Sequence, residues 1–122
     1  MKILVAEDEP ILLMTIEMKL KKEGFEVISS KDGREAIEQI KLTHPDMIIT
    51  DIMMPYASGL EIINFVRQQQ NSKTPIIILS AMEQENVVLE AFELGADDYI
   101  TKPFSLNELA IRVKRLISRM PK

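Results

Sequence analysis

Five residues in this chain combine carboxylate, hydroxyl and amine chemistry, and each closely follows a short apolar run. Glu7 and Asp8 follow "KILVA", Asp51 follows "DMIIT", Ser80 follows "PIIIL" and Lys102 follows "DYIT". Carboxylates gathered at close range repel one another unless a cation neutralises them. With no cysteine in the chain and a single histidine, His44 in the surface-loop stretch "THPD", the ligand set is oxygen only. Such a set suits Mg²⁺, or Mn²⁺, and not zinc or copper. Lysine adds a point charge for an anion, and serine adds a hydrogen-bond donor. An aspartate framed by a metal, a lysine and a hydroxyl is equipped to take a phosphoryl group on its own carboxylate. That chemistry depends mainly on positioning and charge neutralisation.

These residues need a scaffold that brings them together. The runs at 2–6, 25–29, 46–50, 75–79 and 98–101 are rich in Ile and Val and have strand length. Three are almost unbroken, as in parallel strands covered on both faces. Helical spacing fills the intervals 11–22, 33–42, 59–69, 84–94 and 105–119. Gly24 and Gly95 act as stop signals, and Ser105 with Glu108 forms a capping box. Strict β-α alternation predicts an α/β fold: a doubly wound, five-stranded parallel sheet with right-handed crossovers. Strand order 2-1-3-4-5, a flavodoxin-like three-layer arrangement, makes the first and third strands neighbours at the switch point, where ligands bind at the carboxyl ends. Glu7, Asp8 and Asp51 then converge. More ordinary roles compete: Asp51 as a loop cap, Glu7 and Asp8 as acids favoured by the first helix dipole, Lys102 as a solvated lysine, Tyr99 as a packed aromatic. Glu9 reads as a first-turn acid, and the eight methionines as mostly core filler.

Composition bounds the rest. The 122 residues with 46% hydrophobic and 28% charged content match one globular domain, 1–122. A net charge of −4 leaves no electrostatic footprint for nucleic acid. No apolar stretch approaches the length that spans a bilayer, and no secretory signal is visible. A cytoplasmic location is expected.

Four fragments, "VAEDE", "DIMMPYASG", "LSA" and "GADDYITKPF", in this order and spacing, resemble the response-regulator receiver domain of two-component signalling, over essentially the whole chain. The resemblance implies that Asp51 accepts a phosphoryl group from a sensor histidine kinase. It makes Asp8 a direct Mg²⁺ ligand, Glu7 a ligand largely through water, and the Met53 carbonyl the third protein contact. Lys102 is implied to pair with the phosphoryl oxygens, Ser80 to be the switch hydroxyl and Tyr99 the aromatic that follows it. Pro103 is implied to be a cis-proline that aims Lys102, and Gly59 to close the loop after the acceptor. "GADDYITKPF" and "ELAIRVKRLISR" look most like receivers attached to winged-helix DNA-binding domains, which implies control of transcription. That subfamily forms dimers through the fourth helix, fifth strand and fifth helix, here with Asp97, Asp98, Glu108, Arg112 and Arg119. Val88 stands where a lysine usually partners Glu108, which implies either that this dimer does not form or a more hydrophobic version of it. Lys122 falls where a linker would begin.

Rival readings are a stand-alone receiver acting by protein contact or phosphorelay, an inert scaffold, a Mg²⁺-dependent phosphohydrolase and a nucleotide-binding domain. The phosphohydrolase wants a second aspartate where Met53 stands. The nucleotide site lacks its glycine-rich motif. Apolar Met53 and Met82, at positions that tune dephosphorylation in the family, imply a long-lived phosphoryl group.

Overall fold

The structure is a computed structural model, described for residues 1–81 and 85–120. Its strands are β1 (Lys2–Ala6), β2 (Glu26–Ser30), β3 (Met47–Asp51), β4 (Ile76–Ala81) and β5 (Asp98–Lys102). Its helices are α1 (Pro10–Lys22), α2 (Gly33–Thr43), α3 (Gly59–Asn64), α4 (Glu85–Leu94) and α5 (Leu106–Ser118). The sheet is wholly parallel, in the order β2-β1-β3-β4-β5.

Alternation along each strand sends side chains to two cores. Ile3, Val5, Met47, Ile49, Ile77 and Leu79 pack against Ile16 and Leu20 of α1 and Leu109 and Val113 of α5. Leu4, Ala6, Ile48, Ile76 and Ile78 face α2, α3 and α4 through Ala36, Ile40, Ile62, Val88 and Ala91. Both sheet faces are therefore dry, which is why the strands read as unbroken apolar runs.

Several boundaries differ from the sequence reading. Asp51, Ser80 and Lys102 belong to their strands instead of following them, so the rigid sheet itself carries them. The interval 59–69 is not one α-helix: after Asn64 the chain widens into a π-helical segment, Phe65–Gln69. The capping box at α5 is half made. Ser105 Oγ accepts from Glu108 N at 3.0 Å, but the Glu108 carboxylate turns to Arg112 at 3.2 Å. The expectation that the methionines are mostly core filler is also corrected. Among the described methionines Met47 alone is fully buried, while Met1, Met14, Met18 and Met53 are exposed. Ile16 and Leu20 already fill the inner face of α1, so Met14 and Met18, with Ile11, lie outside it.

Arg67 fastens the π-helical segment to the amino-terminal end of the sheet. Its guanidinium donates to the carbonyls of Ser72 (3.0 Å), Thr74 (2.8 Å) and Gly95 (2.9 and 3.1 Å), and to Asp97 Oδ2 (3.0 Å). The same Asp97 oxygen accepts from Ile76 N at 2.8 Å, where β4 begins.

Candidate functional site

The carboxyl ends of β1, β3, β4 and β5 converge on one pocket. Register sets the pairing: Ala6 lies beside Thr50, Asp51 beside Leu79, Ser80 beside Thr101 and Ala81 beside Lys102. Carboxylate oxygens of Glu7, Asp8 and Asp51 all lie within 4.8 Å of one another. Glu7 and Asp51 are buried and Asp8 is exposed, so the cluster opens to solvent on the Asp8 side.

Lys102 reaches across to both buried acids. Its Nζ is 3.0 Å from Asp51 Oδ2, a hydrogen bond, and 2.8 Å from Glu7 Oε1. Glu7 Oε2 accepts from Glu9 N at 3.0 Å. Glu7 Oε1 touches the ammonium but receives no well-directed hydrogen bond. Burial pushes the carboxyl of Glu7 above its usual range, opposed by Lys102 and the Glu9 amide, with the Asp51 charge adding to the rise. Asp51 is raised as well, first by burial and also by Asp8, against the pull of Lys102. Lys102 is itself raised: burial works against its charge, but the two carboxylates outweigh it. One ammonium is thus too little for three acids. An all-oxygen cluster whose two buried carboxylates are destabilised as anions fits a hard divalent cation.

Lys102→Ala should cost about 3 kcal/mol in urea unfolding at neutral pH, because it leaves buried Glu7 without its cation. The loss should shrink as the pH falls and Glu7 takes a proton. A loss independent of pH would show that Glu7 is not the stranded charge.

The other expected residues divide into those at the pocket and those elsewhere. Met53 is on the loop after β3 with its side chain exposed. The Lys102–Pro103 peptide is cis. Gly59 N donates to Ile52 O at 2.8 Å, and a Cβ on Gly59 would lie 2.5 Å from Asp51 O. The loop must therefore pass that close. Ser80 is buried and Tyr99 is 40% exposed, and both line one cavity of about 330 Å³ with Ala81, Val88, Leu89 and Phe92. Tyr99 meets Phe92 edge to face at 5.8 Å. Met82 lies outside the described residues.

The five residues expected on a dimer face do not form a free row of charges. Asp98 pairs with Arg112 at 2.8 Å, and Arg112 with Glu108. Asp97 is held by Arg67. Arg119 lines a cavity beside Lys73 and Asp97. Val88 is buried against the core and gives that face no extra hydrophobicity. Among the described residues its exposed apolar members include Leu89, Phe92, Tyr99 and Ile111.

Sequence reasoning missed Gly33, Arg34 and Tyr56. A Cβ on Gly33 would lie 1.8 Å from Ala57 O, and Arg34 stacks on Tyr56 at 4.5 Å. The signal was there in a glycine at the first position of a helix, where a tight approach is an available explanation.

Comparison with known proteins gives a consistent picture. The response regulator receiver domain family matches residues 3–114. The alkaline phosphatase synthesis transcriptional regulatory protein PhoP of Bacillus subtilis is 40% identical over 118 residues, 97% of this chain and 49% of that protein. The chain thus spans about half the length of that relative. A Francisella response regulator receiver domain superposes with a TM-score of 0.89 at 41% identity, covering 97% of each chain. The chemotaxis response regulator CheY4 of Vibrio cholerae gives 0.85 at 32% identity, covering 93% of this chain and 96% of that one.

Proposed function

The chain belongs to the response regulator receiver domain family, and from that premise we propose that it is a phosphorylation-controlled switch whose acceptor is Asp51. The observation that carries this reading is the pocket itself: Glu7, Asp8 and Asp51 clustered within 4.8 Å, with Lys102 on Asp51 at 3.0 Å. Asp8, Asp51 and the Met53 carbonyl would hold Mg²⁺, with Glu7 assisting through water. The cation, when bound, neutralises the acids and the incoming phosphoryl oxygens.

Every other part of the reaction falls to the chain. Asp51 attacks the phosphorus of a phosphohistidine on a sensor histidine kinase; the acyl phosphate bond forms as the P–N bond breaks, and the imidazole leaves with a proton. Lys102 moves from its carboxylate partners toward the new phosphoryl oxygens. The group brings about two negative charges, and Ser80 donates to it. Ser80 and Tyr99 share a cavity, so a shift of Ser80 frees room that the Tyr99 ring can fill. Leu89, Phe92 and Tyr99 then present a different surface, and the outcome is a population shift between two conformers. The likeness to the transcriptional regulator PhoP supports an output in gene regulation, with dimerisation through α4, β5 and α5.

The test is incubation with Mg²⁺ and acetyl phosphate, read by intact mass and peptide mapping. One phosphoryl group on Asp51 is expected. No mass gain, or a gain mapped elsewhere, overturns the reading.

A further inference from the structure

The loop between β3 and α3 carries the Met53 carbonyl, and its backbone is sharply bent. Ala57 N donates to Pro55 O at 2.9 Å across Tyr56, whose φ is +70°. That closure with positive φ is the strained form of the γ-turn, and a tyrosine occupies it at a cost that glycine avoids. Tyr56 is 72% exposed, so burial of its ring does not hold the turn.

The start of α2 supplies what does. Asp32 Oδ1 accepts from Glu35 N at 2.8 Å and fixes where the helix begins. Gly33 N then donates to Pro55 O at 3.4 Å, and the Arg34 guanidinium lies 4.5 Å from the centroid of the Tyr56 ring. The approach leaves no room for a side chain: a Cβ on Gly33 would fall 1.8 Å from Ala57 O and 2.5 Å from its carbonyl carbon. The obstacle is backbone, which cannot rotate aside. Alanine at this position therefore drives the loop and the helix apart, although elsewhere in a helix the exchange is favourable.

We propose that the start of α2 is a positioning device for this loop, with Gly33 and the Arg34–Tyr56 stack fixing the Met53 carbonyl and thereby setting divalent-cation affinity. The proposal rests on the reading of the pocket as a Mg²⁺-dependent acceptor site. Gly33 and Arg34 are positioning residues: they act through the loop.

The test uses the 122-residue chain, with Mg²⁺ affinity measured by calorimetric titration and phosphorylation by acetyl phosphate followed separately. Gly33→Ala should weaken Mg²⁺ binding by about tenfold, and Arg34→Ala by about threefold. At saturating Mg²⁺ both should phosphorylate within about twofold of wild type, since the reacting groups are intact. Ile40→Val, in the same helix but buried away from the loop, should lower thermal stability without changing affinity. If Gly33→Ala does not fold, exposed Arg34→Ala decides the matter. A folded variant of either kind with wild-type Mg²⁺ affinity overturns the positioning role. A wild-type chain that binds no Mg²⁺ and takes no phosphoryl group overturns the underlying reading instead.

Discussion

Asp51→Asn should stay folded and gain no phosphoryl group from acetyl phosphate, a fall of more than about a thousandfold in the rate. The amide keeps the size of the carboxylate but lacks its nucleophilic charge. The substitution should also relieve strain, which separates it from an ordinary buried-residue change. Asp51 has its carboxyl raised above the ordinary value of 3.8, chiefly by burial and also by Asp8. A raised acid contributes stability that is fully present below its unfolded pKa and is lost as the pH rises through the folded one. Wild type should therefore lose ground to Asp51→Asn as the pH climbs from 3.8 toward neutrality, without divalent cation. Urea unfolding of the pair across that range reads the difference, and intact mass reads the chemistry. Glu7, raised from 4.5, should behave alike in Glu7→Gln. Phosphorylation of the asparagine variant at the wild-type rate would remove Asp51 from the reaction. A stability gap of constant size across the range would remove the electrostatic account.

Mg²⁺ should raise the thermal midpoint of the wild-type chain by about 10 °C at a hundredfold excess over its Kd. That excess corresponds to about 2.7 kcal/mol of linkage stabilisation, and a domain of this length moves roughly 4 °C per kcal/mol. The gain comes from relieving repulsion among Glu7, Asp8 and Asp51, so it should weaken below neutral pH as protons compete for the same oxygens. A chelator should reverse it. The Asp8→Ala, Asp51→Asn double variant should show almost none of it while starting from an apo midpoint no lower than wild type. An equal shift in the double variant would place the cation elsewhere on the surface.

The sequence was most legible where burial dictates residue type. Unbroken Ile and Val runs need two covering layers, and with strict β-α alternation they lead to a parallel sheet. Once β1 and β3 are neighbours, Glu7, Asp8 and Asp51 must meet, because parallel strands deliver their carboxyl ends to one edge. Less legible were features that depend on distances between segments far apart in the chain. A glycine at the start of α2 signals a close approach, but nothing local to Gly33 names Ala57 O as the neighbour. Asp97 reads as a surface charge until Arg67, thirty positions earlier, is seen to hold it. Val88 fits an apolar helical stripe equally well inside or outside, and only the packing of α4 on the sheet turns it inward. The methionines of α1 are hard to place for a related reason: their residue type suits a core, but Ile16 and Leu20 fill it.

The Arg67 clasp makes the two ends of the sheet mechanically unequal. At the amino-terminal edge, one guanidinium ties the π-helical segment to the entrances of β4 and β5 through three carbonyls and a carboxylate. At the opposite edge, the acids and lysine hold one another through charges that an incoming anion can rearrange. The amino-terminal edge is thus held largely through backbone carbonyls, and the opposite edge through charged side chains.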